Sequence, residues 1–328
     1  MIKMMLDILI EGPSAKIDYQ DRILLTGSCF TEHIGGTLTD LKFQVLQNPN
    51  GIIFDPATVA SSITSYIENK QYTKKDLIYV NELWQSWQHH GRYSGVDPDA
   101  VLDKINQSQQ QAHDFLKETK WLIITLGTSF SYRLKVSSEP VANCHRAPGA
   151  WFNKHLMTIE ETIISLDTCL YRLFQYNAGL NIIFTVSPVR HIRDGIIENN
   201  RSKARLLESV HHLVNKFGRL YYFPSYEIVI DVLRDYRFYD IDLVHPNYQA
   251  TRYVIEQFMA NFVNERSVAL SKEIEKINVA RNHKPLQPST EAHQKFLRLH
   301  AERTKALMEV HPFLQLQEEL KYFGQGYA

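Results

Sequence analysis

The feature that most constrains this chain is the stretch over residues 23–34, with the sequence ILLTGSCFTEHI. It starts with a short apolar run of the kind that forms a buried strand. Gly27 follows, and apolar residues then recur at the four-residue spacing of one helix face. Such a strand–turn–helix lifts one side chain above a sheet edge and offers helix N–H groups to a developing negative charge. The candidate nucleophiles in the turn are Ser28 and Cys29.

Alternating strand and helix patterns continue along the chain and predict an α/β fold. We expect a three-layer α/β/α domain built on a parallel sheet of about five strands. The predicted strands cover residues 23–25, 42–46, 121–126, 181–186 and 220–223. The last part of the chain is charged, helical and poor in strand-forming residues. The sequence therefore predicts two domains, a first α/β domain over residues 1–263 and an appended helical hairpin over residues 264–328.

Composition argues against several classes of protein. The 36 basic and 36 acidic side chains cancel, so nucleic acid is not an expected partner. Three scattered cysteines are too few for a disulfide framework or a zinc site. The N-terminus lacks the core of a signal peptide, and no apolar run is long enough for a membrane span. We expect a cytoplasmic protein without a metal or organic cofactor.

The phrase Gly27-Ser28-Cys29-Phe30 resembles the Gly-Asp-Ser-Leu block of the SGNH, or GDSL-type, hydrolases. GSCF is also similar to the signature of the GSCFA-domain family, a branch of that superfamily. The resemblance implies an SGNH-like fold, and it places Cys29 at the position of the nucleophilic serine. A shift of one residue in the turn would make Ser28 the nucleophile instead, and both remain candidates.

Two further blocks of the resemblance concern the oxyanion of an acyl-transfer reaction. SGNH hydrolases use the backbone N–H of a glycine after the second strand, and Gly51 stands at that place. After the third strand they use the asparagine of Gly-x-Asn, where this chain has Ser129. A hydroxyl donates one proton where an amide donates two. The second donor is therefore open between Ser129, Thr128 and Asn143.

The segment from Asp242 to His245 resembles the last SGNH block, Asp-x-x-His before the final helix. The resemblance implies that His245 is the general base and that Asp242 orients its ring. Together with Cys29 these residues would form a nucleophile–base–orienter triad.

Two loops offer polar side chains for binding a substrate. The phrase VANCHRAP contains an amide, a ring and a cation, namely Asn143, His145 and Arg146. Arg190 and His191 follow the fourth predicted strand, at the edge where open α/β sheets bind ligands. Alternatively, the first group is a polar loop tied down by hydrogen bonds, and the second consists of ordinary surface residues.

These features together predict acyl transfer through a thioester on Cys29. The protein would be an ester hydrolase or an acyltransferase, with a small-molecule or glycan acyl substrate. Because Ser28 and Ser129 depart from the hydrolase pattern, a decayed SGNH-fold binding module is the alternative. A third possibility is an interaction protein organised around the C-terminal helices, which could also form a homodimer.

Overall fold

A computed structural model of the chain describes residues 5–324. The expected domain boundary at residue 263 stays a prediction, and the outer ends of the two predicted domains, residues 1–4 and 325–328, lie outside the described part. The strands in this part are β1 (Arg22–Gly27), β2 (Gln44–Gln47), β3 (Ile78–Val80), β4 (Leu83–Gln85), β5 (Thr119–Leu126), β6 (Phe130–Leu134), β7 (Phe152–Leu156), β8 (Asn181–Val186) and β9 (Leu220–Tyr222). The α-helices are α1 (Cys29–Asp40), α2 (Pro56–Glu68), α3 (Pro98–Lys117), α4 (Ile159–Tyr176), α5 (Ile196–Lys216), α6 (Ser225–Glu227), α7 (Tyr248–Phe262), α8 (Glu265–Asn282), α9 (Glu291–Val310) and α10 (Gln317–Gly324).

The central sheet has five parallel strands in the order β2-β1-β5-β8-β9. The predicted fold class is confirmed. The chain leaves β1 for a helix on one face and leaves β2 for a helix on the other face. This change of direction creates a topological switch point beside β1, and open α/β sheets bind ligands outside the strand ends at such a point.

Side chains that alternate along the strands divide the core into two layers. Ile23 and Leu25 of β1 pack in one cluster with α1, α7 and the helices that follow. Leu24 packs on the opposite face with α2, α4 and α5. Strand β5 does the same, with Ile123 on the first face and Leu122 on the second. Burial on both faces explains why these strands are continuous apolar runs.

Two antiparallel hairpins stand outside the central sheet, and the sequence patterns do not predict either of them. Strands β3 and β4 pair with each other in the segment after α2, which is rich in aromatic residues. Strands β6 and β7 pair beyond the end of β5. The second hairpin carries the polar loop 141–148 on the connection between its strands. It therefore brings that loop towards the carboxyl edge of the sheet.

The described part of the C-terminal segment, up to residue 324, contains three helices rather than the expected pair. Helices α8, α9 and α10 contribute buried side chains to the same core layer as α1 and α7. Between β9 and α7, the short helix α6 is followed by a π-helix over Ile228–Val232. Among the described residues, none of the helices is long and apolar enough to cross a membrane.

Candidate active site

Cys29 is the first residue of α1 and lies just beyond the carboxyl end of β1. Gly27 has a φ of +144°, and the Ser28 N–H donates to Thr125 O on the neighbouring strand β5 at 3.0 Å. The Cys29 side chain is half-buried, whereas Ser28 is 3% exposed. The Ser28 hydroxyl has no hydrogen-bond partner among the described residues. Of the two candidate nucleophiles, Cys29 is therefore the one that solvent reaches.

The surroundings of Cys29 act on its thiol in opposite directions. Burial raises the pKa of the Cys29 thiol, and the negative charge of Glu32 adds to the rise. The N–H groups of Phe30 and Cys29 and the charge of Lys203 lower the same pKa. Burial has the largest effect, so the thiol pKa is raised and not lowered as the helix start alone would suggest. Burial also raises the pKa of Cys144 to about 11.

Asp242 and His245 form a closed turn before α7. Asp242 Oδ1 accepts from the N–H groups of Val244 and His245, at 2.9 and 3.0 Å. Asp242 Oδ2 lies 2.6 Å from His245 Nδ1. The hydrogen bonds from the backbone and ring of His245 lower the pKa of Asp242 to about 2. A carboxylate on Nδ1 leaves Nε2 of His245 free to accept a proton.

The loop of His245 lies against the segment that follows β8. The Arg190 N–H donates to Val244 O at 3.3 Å. His33, which is one turn after Cys29 on α1, lies within electrostatic range of His245. The structure therefore brings the Asp-x-x-His turn and the start of α1 to the same carboxyl edge of the sheet. No hydrogen bond joins Cys29 Sγ to the His245 ring in the described part of the chain.

Three of the four predicted oxyanion donors, Gly51, Ser129 and Thr128, already have partners. The Gly51 N–H donates to Asn48 O at 2.7 Å. The Ser129 hydroxyl donates to Ser202 O at 3.2 Å, and the Thr128 hydroxyl lies 2.8 Å from Ser202 Oγ. By contrast, the first turn of a helix leaves its N–H groups without helical acceptors. The N–H groups of Cys29 and Phe30 at the start of α1 are such groups, and they lie beside the sulfur.

A cleft of about 820 Å³ opens beside the start of α1 and is lined by several of the predicted binding residues. Its lining includes Asn143, His145, Arg146 and His191 together with Thr128. Aromatic rings form much of its wall, namely Phe54, Phe130, Tyr132 and Phe152. Cys29, Asp242, His245 and Gly51 do not belong to the lining. The cleft is therefore adjacent to the Cys29 site and not continuous with it.

Two of the predicted binding residues make structural contacts. His145 is buried, and its Nε2 lies 2.7 Å from Ser86 O. The Arg190 guanidinium lies over the ring of Tyr239, 4.5 Å from the centroid, outside the cleft. It therefore stabilises the segment that leads to Asp242. Arg146 is exposed at the cleft, and its guanidinium forms no hydrogen bond or ion pair among the described residues.

Sequence reasoning missed one residue at this edge of the sheet. Lys203 on α5 is 1% exposed, and its Nζ donates to Gly127 O and Ser187 O, both at 2.6 Å. Burial, followed by the charge of Lys203, lowers the pKa of His191 to about 4. The only sequence signal for Lys203 is a cation on the apolar side of an amphipathic helix. Among the described residues, no group of three or more His, Cys, Asp or Glu side chains is arranged to hold a metal ion.

Comparison with known proteins gives two family matches that cover most of the chain. The model of the GSCFA family matches residues 22–258, and that of the GSCFA domain protein C-terminal domain matches residues 274–327. No curated protein matches. Among solved structures, an acetyl xylan esterase (Est2A) from the rumen bacterium Butyrivibrio proteoclasticus is similar, with 10% identity and a TM-score of 0.36. That match covers 74% of this chain and 65% of the esterase chain, so the chain spans just under two thirds of the length of that relative.

Proposed function

The chain belongs to the GSCFA family, and from this premise we propose that it is an ester hydrolase or acyltransferase with a covalent acyl-enzyme on Cys29. His245 is the general base, and Asp242 orients its ring. The observation that carries this proposal is the 2.6 Å contact between Asp242 Oδ2 and His245 Nδ1. It fixes the tautomer that leaves Nε2 as an acceptor, on the same sheet edge as an accessible thiol at a helix start.

The reaction has two halves that use the same groups. Cys29 Sγ attacks the acyl carbonyl carbon while His245 Nε2 takes the thiol proton. The tetrahedral intermediate collapses to a thioester, and the leaving alcohol takes the proton from His245. Water or an acceptor alcohol then attacks the thioester, giving its proton to His245, and the thiol is restored with an acid or a new ester as product. The His245 ring is half-exposed and Nε2 has no hydrogen-bond partner among the described residues, so Nε2 is free to take the thiol proton in the proposed reaction.

The oxyanion is assigned to the start of α1. The N–H groups of Cys29 and Phe30 lie beside Sγ and have no helical acceptor. Gly51, Ser129 and Thr128 would each have to give up a hydrogen bond before donating to the substrate. In a measured protease case, one oxyanion donor contributes about 3–4 kcal/mol to the transition state.

The adjacent cleft is the proposed site for the rest of the substrate. Arg146 and Arg193 line it, are exposed and form no ion pair among the described residues. The carboxylate of Asp194, also in the lining, pairs with Lys154. Asp55 is buried at the start of α2, and although burial raises its pKa to about 6, it remains mostly ionised at pH 7. Arg146, Arg193 and Lys154 still outnumber the carboxylates of the lining, and with its aromatic wall the cleft suits a ring-containing substrate that carries an anionic group.

Separate alanine variants of the two candidate nucleophiles test the proposal. Hydrolysis of p-nitrophenyl acetate and of a short acyl thioester is measured for Cys29→Ala and Ser28→Ala, with and without sugar acceptors. We expect Cys29→Ala to lose at least about 10³-fold in kcat/KM, while Ser28→Ala keeps most of the activity. Cys144→Ala is the matched control, because Cys144 is also partly exposed and lines the cleft. Full turnover by Cys29→Ala would refute the cysteine mechanism.

A second function is favoured by the engaged oxyanion donors and by the missing hydrogen bond between Cys29 and His245. It is a binding module that keeps the cleft without the chemistry. To separate the two functions, the wild-type protein is incubated with an activated thioester, the mixture is quenched with acid, and the digested protein is searched for an acylated peptide. An acyl group on the peptide that contains Cys29 supports the enzyme, whereas saturable binding without any adduct supports the module.

A further inference from the structure

Lys203 is a buried cation at the carboxyl ends of two adjacent strands. Its Nζ donates to Gly127 O, just after β5, and to Ser187 O, just after β8. No carboxylate pairs with it in the described part of the chain, and its Nζ lies 5.9 Å from the centroid of the Tyr226 ring. A buried ammonium without a counter-ion is costly. Hydrogen bonds to two carbonyl groups do not by themselves explain why a charged side chain is buried there.

The position of Lys203 relative to Cys29 suggests a reason for the charge. Gly27 pairs with Thr125 in the sheet, and Ser28 N–H donates to Thr125 O. The start of α1 therefore lies next to the end of β5, where Lys203 Nζ binds Gly127 O. Lys203 Nζ therefore lies at the end of β5, the strand next to β1, on the side of the sulfur that faces the protein interior.

The electrostatics of the pair are reciprocal. Burial lowers the pKa of Lys203 from 10.5 to about 7, and the charge of Cys29 acts against that shift. Lys203 in turn is the cation whose charge lowers the pKa of Cys29, against the effect of Glu32. The other titratable groups that face Lys203 are His191 and Tyr226. Of these neighbours, Cys29 is the one whose charged form a protonated Lys203 stabilises, and Lys203 is largely protonated below about pH 7.

We propose that Lys203 is a positioning residue that stabilises the thiolate of Cys29 by holding a positive charge at the ends of β5 and β8. The interaction is electrostatic, and no proton passes between the two groups directly. The thiol proton leaves to His245 or to solvent while Lys203 keeps its hydrogen bonds to Gly127 and Ser187. The functional meaning of this interaction rests on the proposed role of Cys29 as nucleophile.

The pH dependence of thiol alkylation tests the proposal without any substrate. Iodoacetamide labelling of Cys29 is followed by peptide mass spectrometry in the wild type, Lys203→Met and Lys203→Arg. We expect labelling of Cys29 to slow severalfold in Lys203→Met at pH 6–7, where Lys203 is largely protonated, and the difference from the wild type to vanish by about pH 9, where Lys203 is neutral. Lys203→Arg keeps the charge and should stay close to the wild type at pH 6–7. Cys144 in the same molecules is the internal reference and should not change.

An unchanged Cys29 profile in folded Lys203→Met would overturn the proposal, and so would an equal change at Cys144. A reciprocal measurement covers the case in which Lys203→Met does not fold. In protein labelled with ¹⁵N-lysine, the pKa of Lys203 should be higher in Cys29→Asp, which places an anion at the position of the thiolate, than in Cys29→Ala. An identical Lys203 titration in the two proteins would refute the coupling. If Lys203 and Cys29 were coupled but the wild-type protein turned over no acyl substrate, only the proposed reaction would be refuted.

Discussion

Asp242 determines which ring nitrogen of His245 carries the proton. Its Oδ1 is held by two backbone N–H groups, so in Asp242→Asn the amide NH₂ takes the place of Oδ2. That NH₂ would donate to Nδ1 and move the ring proton to Nε2, the atom that accepts from Cys29 in the proposed reaction. We expect kcat to fall about 10³–10⁴-fold with little change in stability.

Asp240→Asn is the matched control for this prediction. Asp240 is exposed in the same turn, and its backbone N–H, not its carboxylate, donates a hydrogen bond to His245 O. This substitution should therefore leave kcat within a few-fold of the wild type. Steady-state kinetics on a p-nitrophenyl ester compares the two variants. Equal losses in both would show that the negative charge of the loop matters and that the ring orientation does not.

Lys203 makes stability depend on pH in a defined direction. Its pKa in the folded state is about 7, below the unfolded value of 10.5. Between these values the unfolded chain binds more protons, so the free energy of unfolding rises with pH, by at most about 1.4 kcal/mol per unit. Urea unfolding at pH 6, 7.5 and 9 should show the wild type gaining relative to Lys203→Met above pH 7. A constant difference between the two proteins would contradict the buried titration.

At this scale the sequence indicates the proposed reacting groups better than their surroundings. Cys29 and the pair Asp242 and His245 stand out because their types and spacing are local features of the chain. The partners of Ser129 and Gly51 are set by tertiary contacts, with Ser202 and by a turn at Asn48. Lys203 cannot be recognised in sequence, because only the fold shows that its position on α5 faces two strand ends.

At the scale of elements, the turn between β1 and α1 depends on Gly27. An added Cβ there would lie 2.2 Å from Thr125 O, at a φ of +144° that side chains rarely adopt. We expect Gly27→Ala to lower the free energy of unfolding by about 3 kcal/mol and to displace Cys29. Denaturant unfolding and the alkylation rate of Cys29 measure both effects.

Gly36→Ala provides the contrast within α1. No atom lies within 4 Å of the position that its Cβ would take. Because alanine is a better helix former than glycine, this substitution should stabilise the protein by up to about 1 kcal/mol. If Gly27→Ala were as well tolerated as Gly36→Ala, the rigid turn that we assign to the nucleophile would not exist.

Elements with a strong local signal are the ones that the sequence predicts well. Strands β1, β5 and β8 are apolar runs, and Thr158 and Glu161 have the spacing of the capping box that opens α4. The hairpins β3–β4 and β6–β7 have short strands with mixed polarity, and their pairing depends on packing against the rest of the fold. The π-helix after α6 is likewise a tertiary effect without a sequence signal.

At the scale of the whole molecule, the C-terminal helices complete one core layer. Leu270, Ile274, Leu297, Leu316 and Phe323 are buried in the same cluster as α1 and α7. Removing residues 264–328 would expose that layer beneath the helix that carries Cys29. We therefore expect the truncated chain to be insoluble or to lack near-UV circular dichroism. A folded and active fragment 1–263 would show instead that the extension serves interactions alone.

The contact that fixes the end of this extension is a buried carboxylate. Glu319 on α10 is 1% exposed, and its Oε1 accepts from Lys42 after α1 at 2.8 Å and from Arg281 on α8 at 2.6 Å. Burial alone would raise the pKa of Glu319, but the bond from Lys42 and the charges of both cations hold it below its ordinary value. One carboxylate thus joins three segments that are far apart in sequence.

Glu319→Ala should lower the free energy of unfolding at pH 7 by about 2–3 kcal/mol, because two cations lose their common partner. Glu318→Ala is the control, since Glu318 is the exposed neighbour on the same helix and should change stability by less than about 0.5 kcal/mol. Because the folded pKa of Glu319 is depressed, its contribution is complete above the unfolded value of 4.5 and is lost as the pH falls through the folded value. The difference between wild type and Glu319→Ala in urea unfolding should therefore shrink in acid. A difference that stays the same from pH 7 to pH 4 and below would mean that packing, and not charge, holds α10 in place.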